Sequence, residues 1–423
     1  MISTFLNKIK LIFKDKSLSK KIFFVFGALL VFRLLAAIPI PGINHSALNQ
    51  FFNDNQILGL INISTGGGLS NFSIVMLGVG PFITASIIMQ VMTLLSPKLK
   101  SMYHEEGQIG RKKFINISRI LTIPLAVIQG FSFLVLLQQS GVIPQMPIAL
   151  MISNILIITA GSILLMWIGE LITEFGIGNG VSLIIFAGIV AGLPGAIQNL
   201  IFSYDPSQLP GLIAFLLVGI VIISSVVFVT EAERPIPITY SRQARGGSSK
   251  SVSTYLPLRL NQAGVIPIIF AISILLIPNI ITGLLSNVNN LTVQNIAGNI
   301  NAFISNQFNY GVIYFILVFL LTFFYTAVTF DPDNTAKNLQ KTGAFIPGVR
   351  PGEQTAKYVG DVLTRITLVG ASFLGFVAVL PIIVQSLTNV QSLTVGGTAL
   401  LIAVSVAIDL VKKIDSQLSL REY

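Results

Sequence analysis

Cysteine is absent from the 423-residue chain, and only two histidines occur. Without cysteine there is no disulfide framework, no thiolate nucleophile and no Cys-ligated metal site. The histidines, His45 and His104, fall in loops on opposite sides of the topology set by the apolar runs. An intramembrane Ser-His couple or a His metal cluster is thereby excluded. No Gly-rich loop ends in Lys-Ser or Lys-Thr, so an ATP site of that kind is missing. Charge is scarce too: Asp, Glu, Lys and Arg make up 10% of residues, against roughly 25% in soluble domains. Carboxylates at mid-membrane, which proton and ion transporters use, are nearly missing. Glu170, Glu231, Asp361 and Asp409 all lie near the ends of apolar runs. Neither a catalytic set nor a cofactor or metal site is evident.

What the chain has instead is apolar length. It is 53% hydrophobic, with a mean hydropathy of +0.83. Ten apolar runs occupy residues 22–40, 74–95, 115–138, 148–169, 180–200, 211–230, 262–285, 310–329, 363–387 and 394–411. Most are about the length needed to cross a bilayer core as a helix. An all-α polytopic membrane protein with ten transmembrane helices is expected. Before them, Ile2, Phe5, Leu6, Ile9, Ile12 and Phe13 recur at helical spacing among lysines. Residues 1–21 therefore read as an amphipathic segment on the membrane surface, with no cleavage site after it.

Charge placement tests the count. Residues 1–21, 96–119, 231–259, 330–365 and 412–423 hold 25 of the 26 Lys and Arg. In a ten-span topology all five segments share one side, which the positive-inside tendency makes cytoplasmic. Both termini are then cytoplasmic. The exception is Arg33, 12 residues beyond Lys21, roughly 18 Å along a helix. An Arg at that depth costs about 2.5–3.5 kcal/mol on insertion scales. It must snorkel, or meet a partner or a watery interior.

Residues 58–73 are short, polar and Gly-rich, and lead straight into the second run. Such backbone cannot face lipid, because its hydrogen-bonding groups would lack partners. Two readings stand: a re-entrant half-span beside a pore, or a Gly-rich outer loop. A repeat bears on the choice. Gly78-Val79-Gly80-Pro81-Phe82-Ile83-Thr84-Ala85 matches Gly264-Val265-Ile266-Pro267-Ile268-Ile269-Phe270-Ala271 at five of eight positions. The two copies lie five runs apart and so point oppositely, giving two five-helix inverted-repeat halves, 22–200 and 211–411. Each Pro is expected to bend a span by removing an internal hydrogen bond. With apolar walls, the enclosed path should close by dewetting.

Two basic loops complete the inventory. Residues 231–259 carry Arg234, Arg242, Arg245, Lys250 and Arg259. In residues 330–360, Pro347-Gly348 and Pro351-Gly352 frame Val349-Arg350, which predicts a tight exposed tip. Basic loops of this kind bind phosphates or acidic partners.

Several longer strings are family-specific. They are AAIPIPGI at 36–43, ITEFGIGNGVSLIIFAGIVAGLP at 172–194, LPLRLNQAGVIP at 256–267, NLQKTGAFIPGVRPGEQTAKY at 338–358 and GGTALLI at 396–402. In these the chain resembles the SecY family of protein-conducting channels, in order and over nearly its whole length. The resemblance implies two half-bundles around a central pore, with a short re-entrant plug helix over residues 58–71 that includes Ile61, Gly66, Gly67, Gly68 and Leu69. It implies a pore ring of Val79, Ile83, Ile185, Ile269 and Ile402. It implies a lateral gate with polar contacts at Thr84, Gln129 and Ser273, and partner docking through Arg350, Arg242, Arg245 and Lys250. It further implies small membrane subunits SecE and SecG, the SecA motor or a ribosome with its rRNA, and signal peptides, nascent chains and membrane lipid as further partners. The location implied is a bacterial cytoplasmic membrane. Phe175 departs from the family at a position that is often basic, and Pro235 and Gly246-Gly247 make the 231–259 loop less basic. A secondary transporter of a small solute is the alternative, and it requires a mid-membrane polar site.

Overall fold

The computed structural model describes residues 15–40, 68–69, 72–139, 141–144, 146–202, 209–240, 253–285, 290–388 and 392–419. In chain order the helices before the sheet are α1 (Lys16–Ala36), α2 (Gly80–Leu95), α3 (Pro97–His104), α4 (Gly107–Gln139), α5 (Ile148–Phe175), α6 (Gly180–Phe202) and α7 (Leu209–Glu231). Strands β1 (Glu233–Tyr240) and β2 (Ser253–Arg259) follow, then α8 (Ile266–Leu285), α9 (Leu291–Ser305), α10 (Gln307–Thr329) and α11 (Pro332–Lys341). Strand β3 (Ala344–Phe345), α12 (Glu353–Thr388) and α13 (Ser392–Ser419) complete the order.

The helix starts are written locally. Asp15 caps α1, accepting from the N–H groups of Ser17 at 2.9 Å and Leu18 at 3.4 Å. Asn306 does the same for α10, and Asp331 with Pro332 behind it for α11. These side chains satisfy amides that the first turn leaves free.

Each of the ten apolar runs falls on a helix: α1, α2, α4, α5, α6, α7, α8, α10, α12 and α13. Among the described residues, four stretches are long and apolar enough to cross a membrane: Gly107–Gln138, Ile148–Phe175, Gln307–Lys341 and Glu353–Leu380. Gly80–Thr93 and Pro97–Tyr103, bent by 113° at Ser96, form a fifth if taken together. The count of ten thus rests on the apolar runs and their charge flanks, not on helix length.

Two expectations need correction. The second run does not begin as helix at residue 74. Residues 74–79 are turns, and α2 starts at Gly80. Gly78, at φ +57°, occupies the left-handed region that interrupts a helix. The architecture is also not wholly helical: β1 pairs with β2 and, at its far end, with β3, giving the order β2-β1-β3. Ile236 and Leu258 from the sheet pack with Ile346, Val359 and Ile366. Pro235 and Pro237 are tolerated because β3 covers only Thr239 and Tyr240 on that edge. Between the apolar runs, the stretch after residue 285 and the 330–360 loop carry the short helices α9 and α11.

The main core joins α1, α2, α5, α6, α7, α8, α9, α10, α12 and α13. A second core, under Leu69, Phe72, Met76 and Leu77, takes Leu134, Leu137 and Ile158 from α4 and α5. The outer faces stay apolar: Phe23, Phe26, Leu30 and Leu34 of α1, Trp167 of α5 and Phe228 of α7 are all exposed. Hydrocarbon neighbours make that arrangement stable where water would not. Arg33 lies on this exposed side of α1, not in the core.

Candidate functional site

The sequence repeat is also a backbone repeat. Gly78 has φ +57° and Gly264 has φ +62°, and a helix begins two residues after each. Pro81 and Pro267 are the second residues of α2 and α8. At that position a proline removes no internal hydrogen bond, because the first-turn amides have no intrahelical acceptor. The expected mid-span bends at these prolines are therefore not found: both are helix starters. In each copy the next turn closes alike. The Ile83 N–H donates to the Val79 carbonyl at 3.0 Å, and the Ile269 N–H to the Val265 carbonyl at 3.3 Å. Ile83 and Ile269 thus hold the same rank in two equivalent helices.

Val79, Ile83, Ile185, Ile269 and Ile402 are all buried, and all belong to the main core. They come from the start of α2, from α2 itself, and from α6, α8 and α13. Helix α2 touches α8, and α6 touches α13. Four separate helix starts or helices therefore bring branched apolar side chains into one contiguous region. Such a set has no polar atom to hydrate.

Of the segment read as a plug, Ile61, Gly66 and Gly67 lie outside the described residues. Gly68 and Leu69 are described and buried. The Gly68 carbonyl accepts from the Ser73 N–H at 3.1 Å and from Ser73 Oγ at 3.0 Å. A Cβ at Gly68 would lie 2.9 Å from the Val75 carbonyl oxygen, which explains glycine there. Leu69 packs with Ile40, Phe72 and Met76. A short antiparallel bridge joins Pro39 to Ser73, flanked by Ile40 N–H donating to Phe72 O at 2.9 Å and Ile74 N–H to Ile38 O at 3.1 Å. Ser162 of α5 donates to the Gly78 carbonyl at 2.9 Å. The entry to α2 is therefore tied to both α1 and α5.

Thr84 and Ser273 are buried and line one cavity of about 180 Å³ between α2 and α8. Ile87, Ile88, Val91, Met92, Ile274 and Ile277 supply its other walls. Gln129 of α4 reaches in, its Nε2 donating to Thr84 Oγ1 at 3.4 Å. The hydroxyls of Thr84 and Ser273 donate backwards to Gly80 O at 3.0 Å and Ile269 O at 2.9 Å. The three residues thus meet through one cross-helix hydrogen bond and one shared cavity, not through a three-way polar contact. The apolar walls were missed from sequence. Their i, i+3, i+4, i+7 spacing from Thr84 is the signal that marks that face of α2.

Arg350 is exposed. The Val349 N–H donates to Ile346 O at 3.0 Å, with Gly348 at φ +82°, which is a type II turn with Pro347 in its second position. Gly352, at φ +103°, leads into α12, and Thr355 Oγ1 donates to the Arg350 carbonyl at 2.8 Å. The backbone is pinned on both sides while the guanidinium projects outward. Arg242, Arg245 and Lys250 lie outside the described residues.

A sequence profile described as SecY matches residues 73–411. A protein translocase subunit SecY of Mycobacterium bovis is 40% identical, with 100% of this chain and 99% of the relative covered. The namesake of Staphylococcus carnosus is 39% identical over the same shares. Among solved structures, one described as a protein conducting channel aligns with TM-score 0.64 at 19% identity, covering 93% of this chain and 91% of the other. Sec61 in the canine ribosome-channel complex from the endoplasmic reticulum aligns with TM-score 0.61 at 18% identity, covering the same shares.

Proposed function

The chain belongs to the SecY family, and we propose on that premise that it forms the channel of a protein translocase. It passes unfolded polypeptides across the bacterial cytoplasmic membrane and releases apolar segments sideways into the bilayer. The observation that carries this is 40% identity to a translocase subunit with no part of the chain left over. A small-solute transporter is set aside, because relatives matched end to end are translocase subunits.

In this reading ten helices cross the membrane in two inverted halves, with both termini and the basic loops cytoplasmic. Val79, Ile83, Ile185, Ile269 and Ile402 close the pore. Their common burial at the junction of α2, α6, α8 and α13 supports the assignment. Residues 58–71 plug the outer mouth. Thr84, Gln129 and Ser273 tune the seam where α2 and α8 part. No bond is made or broken. A chain enters, the apolar ring packs around it, and ion leak stays low because nothing in the ring holds water. A segment apolar enough leaves through the seam, where burial in lipid gains about 25 cal/mol per Å² of apolar surface. The driving energy comes from a cytoplasmic motor such as SecA, or from a translating ribosome, docked on Arg350 and the 231–259 loop. SecE and SecG complete the assembly.

The test is reconstitution. Proteoliposomes holding this chain with its small subunits, a motor and ATP should protect an unfolded secretory precursor from external protease. Uptake of small solutes with no precursor protection would contradict the assignment.

A further inference from the structure

The repeat extends beyond its two eight-residue copies. Four residues before Gly78 and Gly264, Ile74 and Leu260 hold the same rank. Each is tied through its N–H to the end of the helix that opens its half. The Ile74 N–H donates to Ile38 O at 3.1 Å, just past α1, and the Leu260 N–H to Ala232 O at 2.9 Å, just past α7. Each also turns its carbonyl oxygen onto a glycine. A Cβ at Gly161 of α5 would meet Ile74 O, and a Cβ at Gly370 of α12 would lie 2.5 Å from Leu260 O. Gly161 lies in the fourth apolar run and Gly370 in the ninth, five runs apart like the copies themselves. Residues 74–77 and 260–263 share no identity, so here the backbone repeats and the sequence does not.

Both contacts are main chain against main chain. A side-chain tip could swing aside from an added methyl, but a carbonyl oxygen in a packed interior moves only with its backbone. The residue after each glycine differs. Ser162 donates from Oγ to Gly78 O at 2.9 Å, which bonds the entry of α2 to α5. Its counterpart, Ala371, is buried and has no donor to offer. Gly264 O accepts instead from Asn261 Nδ2 at 3.2 Å, within its own turn. Ile83 and Ile269 follow nine residues after Ile74 and Leu260, one turn into the helices whose starts are held in this way.

We infer that Gly161 and Gly370 are positioning residues. Each seats the start of one inner helix, α2 or α8, and through it one half of the apolar ring. Val79 and Ile83 ride on the first seat, and Ile269 on the second. Ser162 reinforces the first seat alone. The link from seat to pore rests on the channel reading above; the seating of the two helices does not.

Thiol reactivity reads the two seats separately, because the chain has no cysteine of its own. Ile83→Cys and Ile269→Cys are made singly in the full chain, reconstituted with its small subunits, and labelled with a small charged thiosulfonate. Both positions are buried, so labelling should be slow. Adding Gly161→Ala should speed labelling at position 83 about tenfold and leave position 269 within about twofold, because overpacking acts where the main chain is displaced. Gly370→Ala should do the reverse. Gly130→Ala is the control for added volume beside the same segment. Its Cβ would meet Leu77 Cδ1 at 3.8 Å and Ile158 Cγ2 at 3.6 Å, which is ordinary contact, so neither position should respond. Ser162→Ala keeps the space and removes only the donor. It should speed labelling at position 83 by less than Gly161→Ala does and spare position 269, and it carries the comparison if Gly161→Ala does not assemble. Equal acceleration at both positions would mean general loosening and would overturn the proposal, as would no acceleration in any variant. Precursor protection by the parent is assayed separately. Its absence would count against the channel reading and leave the labelling pattern to decide the seats.

Discussion

Replacing Ile83 or Ile269 with Asn probes the seal at its most symmetric point. Their exposures are 6% and 5%, so each is essentially withdrawn from solvent. Burying an Ile side chain is worth about 1.5–3 kcal/mol. A buried amide left without partners adds a penalty of about 1–3 kcal/mol. Water entering the constriction would recover part of the second cost. A net bias of roughly 2 kcal/mol toward a hydrated pore then remains, which shifts the closed-to-wet balance by up to about thirtyfold. Ion conductance of the resting channel in planar bilayers should rise accordingly. The control is Ile158→Asn, equally buried but in the second core beside Leu134 and Leu137. It should lower thermal stability without raising conductance. If the control leaks as much as Ile83→Asn, or if both ring variants stay as tight as the parent, the ring does not make the seal.

Other expectations are equally direct. Gly264→Ala forces a Cβ onto φ +62° with no atom within 4 Å of it, so strain alone acts; it should cost about 1–2 kcal/mol by thermal melting, whereas Gly80→Ala, also in open space, should be near neutral. Leu at Thr84, Gln129 or Ser273 should shift the hydrophobicity at which a test segment enters lipid, by up to about tenfold for a bond worth 0.5–1.5 kcal/mol; an unchanged threshold in all three refutes their role. Arg350→Glu should leave folding and assembly intact while motor-driven translocation falls severely, with Arg350→Lys between, since Lys lacks the planar fork; translocation at the parent rate would reduce Arg350 to a topological charge. Single cysteines at residues 350 or 337, in a chain without others, should resist an impermeant reagent added outside, and labelling there would refute the topology.

The helices were legible because apolar runs and flanking charges are local properties. Asp15, Asn306 and Asp331 also announce their helix starts in the side chain itself. The repeat was legible because left-handed backbone at Gly78 and Gly264 demands glycine, and a helix start accepts Pro81 and Pro267. What those prolines do was misread, since the apolar run hides where turn ends and helix begins. Residues 74–79 are as apolar as α2, and hydropathy cannot separate them. The sheet was hidden by Pro235 and Pro237, which argue against a strand until the open edge of β1 is known. Ile236 and Ile238, alternating and buried, were the available signal. The cavity between α2 and α8 depends on non-local packing, so only its apolar spacing could be seen beforehand.

One measurement bears most directly on whether this chain conducts polypeptide through the ring. A precursor carrying one cysteine is stalled in transit, and Cys is placed singly at positions 83, 185, 269 and 402. Disulfide cross-links to the precursor should form at all four, and none should form from Cys at Leu30 or Trp167 on the exposed outer faces. Cross-links from the outer positions with none from the ring would contradict the account.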